Sequence, residues 1–286
     1  MYWCWYCGLY LALGGLPVKK QTMDLKLKNK TAFISGSTSG IGFAIARSLM
    51  EEGVHVYING RTNSSVDEAL GKLKKDFPAG LANGIAADFS KLEEVEELIS
   101  KLPPLDILIN NVGIFSSMSF FETTDEDWSR HFEVNVMSGV RLSRYFLPKM
   151  IDKNWGRILF ISSECATLVP EDLLAYSVTK TALLSVSRGL AQLTRGTGVT
   201  VNTIMPGSTM SDGAVQFLEG VASRENKTKE QVEAEFFKNV RTSSLLERFA
   251  SVEEVANTVT YMASPLSSAT NGSTIKVDGG SIGGLL

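Results

Sequence analysis

An α/β doubly wound fold, with about seven parallel strands and helices on both faces, is predicted by three features of the 286-residue chain. Short β-branched or apolar runs alternate with longer helical patterns from Thr31 onward, a glycine-rich turn follows the first run directly, and no Pro/Gly/Ser linker or internal repeat divides the body. The strand candidates are Thr31 to Ser35, His55 to Asn59, Gly84 to Ala87, Ile107 to Asn110, Arg157 to Ser162, Val199 to Ile204 and Thr274 to Val277. Between the first two, Phe43 to Glu52 reads as a helix stopped at Gly53. After Phe89, the Ser90 and Glu93 spacing predicts a capping box. It opens a helix with Leu92, Val95, Leu98, Ile99 and Leu102 on one face, halted by Pro103 and Pro104. Ser251 with Glu254 predicts a second capping box, opening a helix that leads to Met262.

Composition narrows the chemistry. The chain has 44% hydrophobic residues, enough for a real core, and a formal charge of −3 from 28 basic and 31 acidic side chains. No basic excess or stripe points to nucleic acid. Only two histidines, His55 and His131, are present, in different periodic segments, which leaves few candidates for a zinc site or a His-based hydrolase triad. The cysteines Cys4, Cys7 and Cys165 form no disulfide framework, so a reducing, cytoplasmic setting is expected, and no metal site. Cys4 and Cys7 make a C-x-x-C, but no second pair completes a four-ligand site. Residues 1–22 are expected to be an apolar N-terminal extension or misassigned start, with a weak membrane anchor as the rival reading, because the stretch lacks the basic start of a signal peptide and is short for a span. Residues 23–286 are expected to form one domain.

The turn Gly36-Ser37-Thr38-Ser39-Gly40-Ile41-Gly42 sits where a strand meets a helix. Glycines there allow a sharp turn and let a pyrophosphate approach main-chain N–H groups at a helix N-terminus. The spacing is G-x-x-x-G-x-G, and no lysine follows as in a phosphate-loop NTPase. A nucleophile elbow would need a serine at the centre of Gly36 to Gly40 and a histidine late in the chain, and neither is present. Dinucleotide folds often carry an acid near the end of the second strand for the ribose hydroxyls. Here the chain reads Asn59-Gly60-Arg61, which favours NADP(H), with Arg61 on the 2′-phosphate, and leaves NAD(H) possible.

The chain resembles the short-chain dehydrogenase/reductase family from about Leu25 to Gly280, through markers in the family's order: the glycine turn, Asp88, Asn110-Asn111-Val112-Gly113, Asn135, Ser163, Tyr176 with Lys180, Pro206-Gly207 and Val277-Asp278-Gly279-Gly280. The resemblance implies a Rossmann-type fold and an oxidoreductase that moves a hydride between a nicotinamide and a carbonyl or secondary alcohol. Tyr176 and Lys180, four residues apart, share one helix face, and a neighbouring ammonium is expected to favour the phenolate, fitting Tyr176 for general acid/base work. By resemblance, Ser163 binds the reacting oxygen; Ser162 is the competing candidate, and the spacing to Tyr176 usual in the family favours Ser163. Asn135 would hold a water linking Lys180 to solvent. Implied cofactor contacts are Gly36, Ser37, Ser39, Gly40, Ile41 and Gly42 near the phosphates, Asp88 and Phe89 near adenine, and Asn110, Val112 and Gly113 near the ribose. Tyr176, Lys180, Pro206, Gly207, Ser208 and Ser211 complete the set on the nicotinamide side. Departures from the family pattern are Ser35 and Ser211 in place of threonine and Val112 in place of alanine.

Substrate-facing segments are expected at Ile114 to Phe121, Glu164 to Leu173 and Thr209 to Glu247, the last a helical cover over the cleft, either a mobile lid or a fixed pair. Ile114, Phe115, Met118, Phe120 and Phe121 are candidates for an apolar wall. The motifs are similar to those of 3-oxoacyl-carrier-protein reductases, yet Glu164, Glu171 and Asp172 would repel an acidic carrier. The expected substrate is therefore a small ketone or hydroxy compound, with a 3-oxoacyl thioester, or a redox sensor without turnover, as alternatives. Resemblance also implies a homotetramer.

Overall fold

The structure, a computed structural model, describes residues 23–284. The leader and the Cys4–Cys7 pair lie outside the described residues. Seven parallel strands form the main sheet: β1 (Thr31–Ile34), β2 (His55–Gly60), β3 (Ala82–Ala86), β4 (Ile107–Asn110), β5 (Gly156–Ile161), β6 (Val199–Pro206) and, last in the chain, β9 (Thr274–Val277). Their order is β3-β2-β1-β4-β5-β6-β9, so the winding reverses between β1 and β4. A short parallel pair, β7 (Thr209–Met210) with β8 (Ala250–Ser251), had no sequence signal.

The strands alternate apolar side chains between the two faces, as a pleated ribbon must. Ala32 and Ile34 of β1, Ile107 and Ile109 of β4, and Leu159 and Ile161 of β5 join one core with α1 (Gly40–Glu51), α2 (Asn63–Asp76) and α10 (Val252–Ala263). Phe33, Leu108, Ile158 and Phe160 join the other with α3 (Leu92–Lys101), α5 (Ser138–Asp152) and α7 (Leu174–Leu193). Of the remaining helices, α4 (Asp125–Phe132) precedes a π-helical turn at Glu133–Met137, and α6 (Cys165–Leu168) is a single turn after β5. The cap consists of α8 (Asp212–Glu225) and α9 (Lys229–Asn239), whose own small core holds Leu218, Ala222, Val232, Phe237 and Phe249.

Helix starts separate a satisfied spacing from a satisfied bond. The Ser251–Glu254 capping box forms as expected, and boxes also form at Thr124–Asp127 and Thr228–Gln231. The Ser90–Glu93 box does not form. Ser90 donates through both its N–H and its hydroxyl to Asp88 Oδ1, so the first helical residue is Leu92 and Lys91 occupies the cap without a side-chain bond. A carboxylate two residues upstream competes for the serine as an Asx turn. α3 does end before the prolines, with Val95 and Leu98 buried and Leu92 largely exposed. Among the described residues, no helix is long and apolar enough to cross a membrane.

Arg157, the second residue of β5, is 1% exposed, its guanidinium donating to the carbonyls of Gly156, Gly198 and Ser264 and standing 5.0 Å from the Trp155 ring. It joins the starts of β5 and β6 to the end of α10. Arg157→Met leaves these carbonyls without a donor, so urea unfolding is expected to show a loss of about 3 kcal/mol or more.

Candidate active site

The carboxyl ends of β1 and β4, beside the reversal in strand order, are spliced by side chain to main chain bonds. Ser35 Oγ accepts from the N–H groups of Asn111 and Val112 at 3.0 Å each, while Asn111 Nδ2 donates to the carbonyls of Ser35 and Gly36. Asn59, at the end of β2, accepts from Gly36 N–H and donates to the carbonyls of Gly60, Ile85 and Ala87. The residue that stands where an acid is common is thus spent on the scaffold. Gly36 turns at φ +60, and a Cβ on Gly42 would collide with the Gly36 carbonyl oxygen, so only glycine lets α1 start this close to the turn.

A cleft of about 330 Å³ brings together Gly36, Ser39, Arg61, Asp88, Phe89, Val112 and Gly113. An adjoining hollow joins Ser39 and Gly40 to Ser211. Other expected contacts point elsewhere. The Ser37 hydroxyl is buried and donates to the Ile34 carbonyl; Phe89 borders the cleft but is 2% exposed and packs in the core. Ser211 Oγ caps α8, and Ser208 Oγ donates to Glu164. Asp88 is held below the usual carboxylate range chiefly by the Ser90 backbone N–H. The N-cap residue of α1, Ser39, makes no side-chain cap bond, and the Gly40 N–H donates instead to Asp212 Oδ2 at 3.1 Å. Nothing in the sequence pairs these residues, which are 172 positions apart.

Tyr176 and Lys180 lie on one face of α7 with the Lys180 ammonium 5.5 Å from the phenol ring centroid, donating to the Ile161 carbonyl at 2.9 Å. Ser162 donates to the Lys180 carbonyl, which leaves Ser163 to face Tyr176. Pro206 and Gly207 stand at the adjacent end of β6, where the Glu164 N–H bonds the Pro206 carbonyl and the Gly207 N–H bonds Val277. Asn110 donates to Ser143 and has its buried Oδ1 unpartnered. Asn135, in the π-helical turn, accepts from Ile114 N–H and donates to the Ile114 carbonyl and Thr179 Oγ1, bracing the chain beside Gly113. A Cβ on Gly113 would approach Lys180 Nζ to 3.2 Å.

The electrostatics depart from the expectation of a stabilised phenolate. Burial pushes the Tyr176 phenol up, well above its ordinary value, with Ser163 pulling the other way; burial also pushes Lys180 down to about 8. Desolvation is the largest influence on each and disfavours its charged form, so the protein alone holds a neutral phenol.

Around the site, Phe115 is 70% exposed with its ring edge-on to Tyr176 at 6.1 Å, and Phe120 and Phe121 are also exposed. All three lie at the surface rather than in the core. Met118 N–H and Ser117 Oγ bond Asp172, tying the loop to the segment ahead of α7. Glu164 does not act as an entrance charge: it is buried against Arg241, a partner 77 residues away that sequence reasoning missed.

Comparison with known proteins agrees with this geometry. The family model described as enoyl-(acyl carrier protein) reductase matches residues 36–281. The oxidoreductase YvaG of Bacillus subtilis is 47% identical over 258 residues, covering 90% of this chain and 98% of its own. The 3-oxoacyl-[acyl-carrier-protein] reductase FabG of Aquifex aeolicus is 31% identical, covering 90% and 99%. Among solved structures, L-sorbose reductase from Gluconobacter frateurii, complexed with NADPH and L-sorbose, superimposes with a TM-score of 0.86 at 31% identity, covering 92% of this chain and all of that one. The architecture is that of a Rossmann-like α/β oxidoreductase. The chain belongs to the short-chain dehydrogenase/reductase family.

The depressed Lys180 has a consequence for stability. Between its folded value of about 8 and its unfolded value near 10.5 the unfolded chain binds the extra proton, so this residue makes stability rise with pH in that window. Comparing wild type with Lys180→Met by urea unfolding at pH 7.5 and 9.5 is expected to show the difference moving in favour of wild type by about 2 kcal/mol.

Proposed function

We propose that the protein is an NADPH-dependent reductase of a small ketone or hydroxy compound, with Tyr176 as the general acid. The carrying observation is a neutral phenol, facing Ser163 and one helical turn from Lys180, at the carboxyl edge of the sheet.

The residues present fit a dinucleotide. The N-terminus of α1 has no bond from its own N-cap Ser39, and a pyrophosphate there would take over the Gly40 N–H that Asp212 accepts; the glycine turn leaves room for it, and the unpartnered Asn110 Oδ1 is an acceptor for a ribose or amide donor. Ser39, Gly40, Ile41 and Gly42 would hold phosphates. Asp88 and Phe89 border the adenine side, and Val112 and Gly113 the ribose. Arg61 is exposed just after β2, where Asn59 stands in place of the usual acid and the cleft's Asp88 is engaged by Ser90, which supports a 2′-phosphate and NADPH over NADH. The NADPH bound to L-sorbose reductase supports the same reading.

When bound, the reduced nicotinamide supplies hydride to the carbonyl carbon. Tyr176 gives its proton to the carbonyl oxygen as charge develops there, and Ser163 donates a hydrogen bond to the same atom. Lys180, fixed on the Ile161 carbonyl, orients and reprotonates the phenol. Asn135 has spent its carboxamide on Ile114 and Thr179, so a relay water would rest on a carbonyl freed by the π-helical turn. One hydride and one proton thus add across the C=O bond.

The exposed Phe115, Phe120 and Phe121 and the FabG relative support a 3-oxoacyl thioester as the second reading. Following nicotinamide absorbance with NADPH or NADH against small ketones, sugars and 3-oxoacyl thioesters separates the two. Carbonyl-dependent oxidation of NADPH that falls about 10² to 10⁴-fold in Tyr176→Phe supports the assignment; binding of NADPH with no turnover of any compound points to a redox sensor. Because the phenol is raised, it should not itself limit reduction at neutral pH; the reduction rate should begin to fall near pH 8, where Lys180 loses the proton that restores the phenol, while alcohol oxidation, which needs the phenolate, climbs. Arg61→Leu is expected to weaken NADPH by about tenfold or more and leave NADH nearly unchanged, read from the two KM values.

A further inference from the structure

One buried charge takes no part in the chemistry above. Glu164, directly after Ser163, is 3% exposed. Its Oε1 accepts from Arg241 Nε at 2.8 Å and from Ser208 Oγ at 3.1 Å, and its own N–H donates to the Pro206 carbonyl. The second oxygen, Oε2, has no hydrogen-bond partner and lies against Gly207, where a Cβ would come within 2.8 Å of it. Three segments therefore converge on one carboxylate: the exit of β5 with Ser163, the exit of β6 with Gly207 and Ser208, and the chain leaving α9 with Arg241.

Arg241 carries this connection into the cap. Its guanidinium stands 5.6 Å from the Phe236 ring, and that ring stacks on Phe249 at 5.2 Å, in the small core that holds α8 and α9 together. The Glu164 charge also adds to the upward push on Tyr176, so the carboxylate is within electrostatic reach of the phenol. A buried ion pair is a poor source of net stability, since an apolar pair of similar volume often serves as well. What it provides is a directional bond that only one placement of cap and site satisfies.

We infer that Glu164 and Arg241 are positioning residues: their ion pair holds the α8–α9 cap over the substrate side of the cleft and keeps the Ser163 turn in register with Tyr176. The kinetic part of this inference rests on the reductase reading; the structural part does not.

The test is chymotrypsin digestion of the full chain, following cleavage within residues 209–247, alongside NADPH affinity by nicotinamide fluorescence and steady-state kinetics. Arg241→Met is expected to speed cap cleavage at least tenfold and to lower kcat/KM at least tenfold. Nucleotide affinity should fall less than kcat/KM does, because the glycine turn, Asn59 and Arg61 lie apart from the pair and only Gly207 and Ser208, expected at the nicotinamide end, adjoin it. Arg241→Lys, which keeps the charge, should restore most of the protection. Should Arg241→Met unfold because it strands the Glu164 charge, the double variant Glu164→Gln/Arg241→Met removes both charges at similar volume and should fold yet keep the exposed cap. Wild-type protection of the cap in the folded double variant overturns the inference, as does a parallel loss of nucleotide affinity, which marks a general structural role. If wild type reduces no carbonyl compound, the reductase reading falls alone and the digestion still decides the positioning claim.

Discussion

The hydrogen-bonded splice between the ends of β1 and β4 is the constraint on which the site depends. Parallel strands finish with main-chain groups that have no ladder partner, and here side chains take them: Ser35 on Asn111 and Val112, Asn111 on Ser35 and Gly36, and Asn59 on Gly36 from the neighbouring strand. These bonds fix the glycine turn and the Asn110–Gly113 turn relative to each other. Both turns are concave because the winding reverses between their strands. The substitution of serine for threonine at position 35 keeps the hydroxyl that makes the splice, so that departure from the family pattern leaves the geometry intact.

The chemistry at the far end of the same edge follows from burial. Placing Tyr176 and Lys180 on a helix packed over β5 and β6 leaves Lys180 buried and Tyr176 partly buried, and desolvation shifts each toward its neutral form. The lysine answers by donating to a strand carbonyl, and the tyrosine by facing Ser163. In the proposed reduction, a proton donor held uncharged beforehand needs no water to rearrange when charge develops on a bound oxygen. The sign of these shifts runs opposite to the expectation drawn from the i, i+4 spacing alone, because spacing conveys proximity and not the dielectric around it.

The cap is a different kind of structure from the sheet it covers. It has its own aromatic core of Phe236, Phe237 and Phe249, and it meets the site through polar contacts, among them Arg241 with Glu164 and Asp212 with Gly40. Asp212 deserves comparison with the pyrophosphate proposed for the same place: a carboxylate at the start of α8 accepts from the first N–H of α1, the donor an anionic ligand would use. The substrate side and the nucleotide side of the cleft are thereby both tied to one helical hairpin.

The sequence by itself determined the doubly wound sheet, the seven strands to within a few residues, the glycine turn, the side of α7 that carries Tyr176 and Lys180, and the family. These are legible because short apolar runs, helical spacing, glycine at turns and ordered motifs are local properties of the chain. Ser251 with Glu254 was legible for the same reason, while Ser90 with Glu93 was not, since Asp88 competes for the serine only once the turn has formed. Folding settled what spacing left open: Ser162 bonds the Lys180 carbonyl of α7, Asn135 braces Ile114, and Glu164 is buried rather than guarding the entrance. Each of those depends on partners that folding brings from distant parts of the chain and on the loss of water around them, and neither is written in the spacing of residues.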